Sequence, residues 1–416
     1  MKKDLFLLLT IVFVAISGDV HSQTWQADAQ RVKELTKKRS EFNYDENNVP
    51  EYKLPDVFTS IDGIKIQNKE QWEAFRRNEI IDILEMELFG KKIGHPDKVT
   101  FTLVEKKDTL QGTAFKKTID IVFHEGTESL TVKLWLFVPK TMDKPLPAFL
   151  LANNRGDAGL FPIEQAESGF WPIQKIIKRG YVAACFNVKD IDPDSNENRG
   201  FNNGIHGLIE PDGARPDYAW GTLAGWAYGA KTIMDYFETD SDVDSKKVAL
   251  VGHSRGGKTA LWAGATDKRF SIIVSNMSGC GGAALSRREY GETVKQINTR
   301  FPHWFAENFH AYNDQEQELP FDQHMLLAMI APRGLYVSSA DKDLWADPKG
   351  EFLSLKHAEQ VYRLFGFSGI QREIMPPLDS PVMGDRTGYH IRSGIHNLTP
   401  YDWEQFMNFA DRVFVD

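Results

Sequence analysis

The chain has 416 residues, a formal net charge of −9 and two cysteines. Phosphate backbones repel so acidic a chain, and we therefore expect no nucleic-acid partner. Two cysteines do not make a disulfide framework, and we expect both to be unpaired, with Cys185 in the core and Cys280 in a loop. The length suits one large α/β domain with an N-terminal extension.

Residues 1–22 have the parts of a secretory signal peptide: a basic start, an apolar run from Leu5 to Ile16, and small polar residues after it. The apolar run is shorter than the roughly 20 residues that a membrane-spanning helix needs. We therefore expect a signal peptide in residues 1–22, cleaved near Ser17 or Ser22, and a secreted or periplasmic protein without an integral membrane span.

Residues 23–95 are expected to form an N-terminal arm and a helix, packed on a catalytic domain that spans residues 96–416. Residues 23 to about 60 are polar and charged, which predicts an extended arm on the surface. Apolar side chains in 72–88 recur at helical spacing and predict the helix.

The catalytic domain begins with three segments of alternating apolar and polar residues, which predict antiparallel strands at 99–103, 117–123 and 130–138. Strands alternating with helices then predict a mostly parallel central sheet with helices on both faces. A long loop at 190–217 is expected to help wall the site. The predicted strands are 145–152, 181–186, 248–251, 272–275 and 334–338, and the helices are 219–237, 259–265, 356–365 and 401–414.

The segment Gly252-His253-Ser254-Arg255-Gly256 matches the pattern G-x-S-x-G. It lies between a predicted strand and a predicted helix, which is the context of a nucleophile elbow. The glycines are needed because the turn is crowded and strained. We therefore predict an α/β-hydrolase fold with Ser254 as the catalytic nucleophile.

A serine hydroxyl becomes a good nucleophile only when a base takes its proton. In this fold the histidine comes last in the chain, in the loop before the final helix. His396 stands there, directly before the predicted helix cap Thr399-Pro400, and is the predicted base. His390, placed in the same loop, is the rival, and we favour a structural or substrate-contact role for it.

A third group must orient the histidine, and in this fold the acid follows a late strand. Three aspartates follow the strand at 334–338, namely Asp341, Asp343 and Asp347. Asp343 is favoured, because it stands a few residues past the strand where the loop turns back. The other two remain alternatives, as does the possibility that all three only cap turns.

Acyl transfer builds negative charge on the carbonyl oxygen, and donors aimed at that oxygen stabilise it. The backbone N–H of Arg255 is one expected donor, and its guanidinium is another. A further backbone donor is expected from the loop at 153–157. This chemistry requires neither a metal nor a cofactor.

With these residues the chain resembles the glucuronoyl esterase family of carbohydrate esterases, particularly its bacterial members. The resemblance runs from about residue 139 to the C-terminus. The arginine and lysine after the serine make it more specific than G-x-S-x-G alone. The segments that carry it are Gly252-His253-Ser254-Arg255-Gly256-Gly257-Lys258, Ser278-Gly279-Cys280-Gly281-Gly282-Ala283, Ser339-Ala340-Asp341-Lys342-Asp343-Leu344-Trp345 and Tyr389-His390-Ile391-Arg392-Ser393-Gly394-Ile395-His396.

The resemblance implies hydrolysis of esters at the carboxyl group of a uronic acid in plant cell-wall polysaccharide. It implies that Ser254 is the nucleophile, His396 the base and Arg255 the oxyanion stabiliser. It also implies that three residues contact the sugar of the substrate: Lys258, Glu292 and Trp345.

The chain departs from the family pattern at two places. Many members carry the triad glutamate at the position of Met277, and methionine cannot orient a histidine. Other members place the acid after the later strand, which points to Asp343. The loop at 153–157 lacks the aromatic and histidine residues that are usual there, so the finer substrate preference stays open.

Four functions therefore compete. The leading one is a glucuronoyl esterase that releases methanol or a lignin alcohol. A methylesterase of pectic galacturonate and an acetyl-xylan-type deacetylase are alternatives of the same chemistry. A non-catalytic carbohydrate-binding protein is the alternative from another class, which Met277 keeps open.

Overall fold

The computed structural model of the protein describes residues 25–140, 143, 145–155, 169–197, 201–210 and 214–415. The predicted signal peptide, residues 1–22, lies outside these described residues. Among the helices of the described ranges, none has both the length and the apolar character needed to cross a membrane.

The strands of the described ranges form one mixed sheet. They are β1 (Lys98–Thr109), β2 (Ala114–Glu125), β3 (Glu128–Pro139), β4 (Leu146–Asn153), β5 (Val182–Asn187), β6 (Val243–His253), β7 (Ile272–Asn276), β8 (Gly334–Ala340), β9 (Val382–Met383) and β10 (Thr387–Arg392). Their spatial order is β1-β2-β3-β5-β4-β6-β7-β8-β10-β9. The strands from β5 to β10 in this order are parallel, while β1, β2 and β3 at one edge and β9 at the other pair antiparallel.

The helices of the described ranges connect these strands and cover the sheet. They are α1 (Ala29–Lys38), α2 (Lys69–Gln71), α3 (Arg77–Glu87), α4 (Ile173–Lys178), α5 (Val188–Ile191), α6 (Gly204–Ile209), α7 (Thr222–Phe237), α8 (Arg255–Thr266), α9 (Val294–Arg300), α10 (Gln323–Ala328), α11 (Pro348–Leu364) and α12 (Pro400–Val413). A π-helical stretch, Trp72–Arg76, joins α2 to α3.

Each face of the sheet carries its own apolar core. In β4, Phe149 and Leu151 belong to one core together with Trp403 of α12, whereas Leu150 belongs to the other together with Leu261 of α8. Successive side chains of a strand point to opposite faces, so a strand that is apolar throughout must be covered on both. The predicted α/β-hydrolase fold, a mostly parallel sheet with helices on both faces, is confirmed.

Two predictions about the N-terminal half need correction. The arm at residues 23–60 is not extended throughout, because residues 29–38 form α1, which Asp28 caps by accepting the Arg31 N–H. The long loop at 190–217 contains a helix, α6, in its described part. Both helices are short or polar on their exposed side, so apolar periodicity did not reveal them.

The cysteines lie as expected. Cys185 is buried in β5, Cys280 is buried in the loop after β7, and both are free thiols.

Candidate active site

Ser254 stands at a sharp turn between β6 and α8. Its φ of 56° and ψ of −124° are values that residues other than glycine rarely adopt. A Cβ at Gly252 would lie 1.9 Å from the Gly256 carbonyl oxygen, so the first glycine of the motif is a steric requirement. The Ser254 N–H donates to the Asn276 carbonyl oxygen at 2.8 Å, which ties the turn to the end of β7.

His396 and Asp343 meet at the ends of two neighbouring strands. Asp343 follows β8 and is buried, while the side chain of His396, after β10, is 40% exposed. Nδ1 of His396 lies 2.5 Å from Oδ2 of Asp343. A carboxylate in this position keeps a proton on Nδ1 and leaves Nε2 able to accept one, as a catalytic base requires. Both side chains line the same cavity as Ser254.

The other two candidate aspartates have structural partners. Asp341 accepts the Gly394 N–H at 2.7 Å. Asp347 caps α11 by accepting the Gly350 N–H at 2.9 Å and forms an ion pair with Arg288. Of the three aspartates, Asp343 is the one that contacts His396.

His390 lies inside the sheet and not in a loop, which corrects its predicted location. It belongs to β10 and is fully buried. Its Nε2 lies 2.9 Å from Asp402 and its Nδ1 lies 3.0 Å from the Tyr336 hydroxyl. We missed this strand because its polar residues, which include Thr387 and Arg392, interrupt the apolar pattern.

Arg255 is held beside the elbow by a buried carboxylate. Its guanidinium forms an ion pair with Asp194, which also accepts the Trp304 indole N–H at 2.9 Å and lies 3.3 Å from His303. Burial alone would raise the pKa of Asp194, but the hydrogen bond from His303 and the charge of Arg255 outweigh it and hold that pKa below its usual range. Asp194 therefore remains ionised and keeps the guanidinium in place.

Lys258 and Glu292 bring opposite charges to the cavity wall, and Glu292 forms an ion pair with Arg300 at 3.8 Å. The Lys258 ammonium donates to the Ser278 carbonyl oxygen. Burial lowers the pKa of Lys258, and the negative charge of Glu292 offsets part of this shift. Burial raises the pKa of Glu292, and the positive charge of Lys258 offsets part of that shift. The pair offers a donor and an acceptor of hydrogen bonds within one small volume.

Trp345 connects the cavity to the N-terminal arm. Its indole bonds to Glu292, whose own N–H donates to the Trp345 carbonyl oxygen at 3.0 Å. Phe42 of the arm packs edge-on against the indole, with ring centres 4.6 Å apart. The arm thus supplies part of the cavity wall, including Arg39.

All seven predicted site residues line this cavity of about 320 Å³, which is within the usual range for small-molecule sites. They are Ser254, Arg255, Lys258, Glu292, Asp343, Trp345 and His396.

Comparison with known proteins identifies the family. The family model described as fungal glucuronyl esterase matches residues 122–366. The carbohydrate esterase MZ0003, from an unknown prokaryotic organism, is 41% identical over 399 residues, which cover 89% of this chain and 91% of the relative. The chain belongs to the glucuronoyl esterase family.

Other glucuronoyl esterases share its structure. The solved structure of the glucuronoyl esterase from Solibacter usitatus is 41% identical and superposes with a TM-score of 0.83, covering 88% of this chain and 100% of that one. The 4-O-methyl-glucuronoyl methylesterase of Neurospora crassa is 28% identical over 327 residues, or 76% of this chain and 74% of the relative. The protein is thus a carboxylic ester hydrolase, as predicted.

Met277 stands at the position where the resemblance implied a glutamate in many family members. Its side chain lines the cavity, and its thioether lies 3.9 Å from the Arg392 guanidinium. Its N–H donates to the Ser338 carbonyl oxygen at 2.7 Å. A thioether gives His396 no carboxylate partner here, whereas Asp343 does.

The loop expected to supply a second backbone donor is described only in part, since residues 156 and 157 lie outside the described ranges. Two of its described residues bond to neighbours of the predicted nucleophile and base. Asn154 donates to the His253 carbonyl oxygen at 3.1 Å, and Arg155 donates to Asn397 at 2.6 Å, next to His396. The second donor therefore stays a prediction.

Sequence reasoning missed a buried glutamate beneath the site. Glu351 accepts the N–H groups of Ser278 and Gly279 at 2.8 and 3.0 Å, and the Ser339 hydroxyl at 2.6 Å. Burial raises the pKa of Glu351 to about 8, against the opposing hydrogen bond from Ser339. It holds the Ser278–Gly279 segment that borders the cavity.

Other residues of the site were also missed because no motif marks them. Asp194 lies in the long loop, and Arg39 lies in the arm that was assigned to the surface. The aromatic content of 12% is compatible with a carbohydrate-binding cleft, but it indicates no position. The aromatic pair that lines the cavity is Phe301 and Trp304, stacked with ring centres 3.7 Å apart.

Proposed function

We propose that this esterase hydrolyses esters at the carboxyl group of a glucuronic acid in plant cell-wall polysaccharide, with Ser254, His396 and Asp343 as its triad. One observation carries the proposal. The strained serine turn and the hydrogen-bonded His396–Asp343 pair border the same cavity as the oppositely charged side chains of Lys258 and Glu292. Such a reaction needs a nucleophile with its base, next to a cavity that holds a sugar and has polar side chains in its wall.

In the first half of the reaction, Ser254 Oγ attacks the ester carbonyl carbon while His396 Nε2 takes the hydroxyl proton. The carbonyl electron pair moves onto its oxygen, where the Arg255 N–H and guanidinium donate hydrogen bonds. A preorganised donor of this kind stabilises the transition state by about 3–4 kcal/mol. The bond to the alcohol then breaks, and the alcohol leaves with the proton from His396.

In the second half, a water molecule attacks the acyl-enzyme and gives its proton to His396. The new tetrahedral species expels Ser254 Oγ, which regains the proton from His396. The free uronate leaves as a carboxylate, and the enzyme is regenerated. Asp343 stabilises the imidazolium form of His396.

The sugar ring is proposed to bind against Lys258, Glu292 and Trp345. Lys258 donates to a ring hydroxyl and Glu292 accepts from one, while the indole of Trp345 bounds the ring. The alcohol of the ester points toward the cavity mouth, so both methanol and a lignin alcohol are compatible with the site. Relatives named 4-O-methyl-glucuronoyl methylesterases support glucuronate as the acid.

The test is a panel of methyl, benzyl and aryl-alkyl esters of glucuronate and galacturonate, assayed beside acetylated xylan. We expect turnover of the glucuronate esters and no turnover by Ser254→Ala. A clear preference for galacturonate esters or for acetyl groups would replace the proposed substrate. If no ester in the panel were cleaved, a carbohydrate-binding role would be favoured instead.

Export accompanies this function. A polysaccharide ester cannot be reached from inside the cell, and the predicted signal peptide at residues 1–22 supplies the route out. Peptide sequencing of the mature N-terminus tests this, and a retained Met1 would contradict it.

A further inference from the structure

Two arginines lie at the outer part of the catalytic cavity, and the reaction described above uses neither. Arg39 caps the C-terminal end of α1, and Arg300 ends α9. Both guanidinium carbons lie 5.2 Å from the centre of the Trp345 ring, so the two cations share one indole. Both side chains line the cavity that contains Ser254.

These two cations are more weakly paired than Arg255, whose guanidinium has the buried carboxylate of Asp194 as its partner. Arg300 is 51% exposed and reaches its partner, Glu292, at 3.8 Å.

Arg39 is exposed as well, and no carboxylate of the described residues lies within ion-pair distance of it. The outer part of the cavity is therefore positively charged although the whole chain carries a net charge of −9. Such a local excess attracts anions into the cleft.

The positions of the two arginines are fixed by packing. Phe42 packs edge-on against Trp345, and Tyr44 is buried against Tyr290, so the arm that carries Arg39 is anchored to the domain. Cation–π contact with a fixed indole restricts a guanidinium, and a side-chain hydrogen bond to Tyr44 holds Arg39 further. A guanidinium has five N–H donors, so others remain for a ligand. The guanidinium edge matches a carboxylate and can bond to it with two parallel hydrogen bonds.

An ester of a uronic acid is neutral at its reacting carboxyl group, so these cations do not serve the ester itself. We propose that Arg39 and Arg300 form a subsite for a second, free carboxylate on the same substrate, carried by the sugar next to the esterified one. This inference rests on the proposed function and narrows its substrate class. The preferred substrate is then a partly esterified, acidic stretch of polysaccharide and not an isolated uronate on a neutral chain.

The experiment compares two disaccharides in the wild-type esterase. In both, a glucuronic acid methyl ester is linked to a second sugar. In one, that sugar is a glucuronate with a free carboxylate; in the other, its carboxyl group has been reduced to a primary alcohol. Methyl glucuronate alone is the reference substrate.

We expect kcat/KM to be about threefold to tenfold higher for the acidic disaccharide than for the reduced one, mainly through KM, because exposed ion pairs contribute modestly. The ratio should shrink toward one in the double variant Arg39→Gln/Arg300→Gln. It should also shrink when NaCl is raised from about 0.05 to 0.5 M, because salt screens exposed charges.

The matched control is Arg363→Gln/Arg412→Gln, which removes the same charge from two exposed arginines outside the cavity lining and should keep the wild-type ratio. A wild-type ratio of one, or a ratio unchanged in the Arg39/Arg300 variant, overturns the subsite. A fall in kcat/KM of the Arg39/Arg300 variant on benzyl glucuronate that methyl glucuronate does not show also overturns the subsite, because the arginines would then contact the alcohol. Failure to cleave any glucuronate ester would instead refute the proposed function, which separates the two failures.

Discussion

Two of the histidine–aspartate pairs, His396–Asp343 and His390–Asp402, look alike in sequence but differ in their surroundings. His396 and Asp343 meet at the rim of the cavity, where the histidine is 40% exposed. His390 and Asp402 meet inside the sheet, where both are fully buried. The residue types are the same and the histidines stand six positions apart, so residue identity does not separate them.

Hydrogen bonding separates the two pairs. Both ring nitrogens of His390 have partners, Asp402 and Tyr336. In His396, Nδ1 faces Asp343 and the ring borders the cavity beside Ser254. A histidine acts as a base only through a nitrogen that can receive a proton from the reactants, so a fully satisfied histidine serves the fold.

The largest expected effect comes from removing the catalytic base of the His396–Asp343 pair. His396→Ala should lower kcat on a glucuronate ester by about 10⁵- to 10⁶-fold, because the serine loses its proton acceptor. Steady-state kinetics measure this, and the melting temperature checks that the fold is kept. Residual activity within about tenfold of the wild type would mean that His396 is not the base.

The next effect concerns the choice of acid. Asp343→Asn should lower kcat by about 10⁴-fold, because an amide does not stabilise the imidazolium and favours the wrong tautomer. Asp341→Asn is the matched control, since Asp341 bonds to Gly394 in the same loop. If the two variants had equal activity, the assignment of the triad acid would be refuted.

A smaller effect is expected at the residue that positions Arg255. Asp194→Asn removes the charge that holds the guanidinium and should lower kcat up to about 10²-fold, with KM changing less, because an oxyanion donor becomes misplaced. Asp194→Glu should recover part of the loss. Asp235→Asn, which removes an exposed partner of Arg269, is the control and should have no such effect on kcat.

Breaking the buried His390–Asp402 pair should have the smallest effect on kcat and a large effect on the free energy of unfolding. Asp402→Asn leaves Arg392 and His390 without their buried carboxylate and should destabilise the fold by about 3–5 kcal/mol near pH 7. Urea unfolding measures the loss, and kcat of the folded variant should stay within severalfold. A loss of kcat as large as that of His396→Ala would show that the buried pair takes part in the chemistry.

The contribution of Asp402 should depend on pH with a defined sign. Burial alone would raise its pKa, but the hydrogen bond from His390 and the charges around it hold the pKa below the usual value. A group with a lowered pKa in the fold stabilises it fully above its unfolded-state pKa of about 3.9 and loses that effect as pH falls through the folded value. The stability gap between wild type and Asp402→Asn should therefore narrow below about pH 4, and a gap constant down to pH 2 would contradict this.

Much of the fold could be predicted because its signals are local. The strands β1 to β8 and the helices α7, α8, α11 and α12 follow from apolar periodicity, although the structure extends most of them by a few residues. The cap of α12 was predicted from Thr399-Pro400, and Thr399 does accept the Asp402 N–H. The strand β10 and the helix α1 lacked such a pattern and were missed.

The sequence by itself determined the serine turn, because its glycines and its position between strand and helix are encoded in adjacent residues. It also determined the family, because the motifs that identify the family are short runs of adjacent residues. Only the tertiary structure decided which aspartate meets which histidine, which carboxylate holds Arg255, and that the arm brings Arg39 to the cavity. Asp343 and His396 are 53 positions apart, and β8 and β10 bring them together by lying side by side in the sheet. Contacts of this kind depend on the order of strands, which no local pattern of residues specifies.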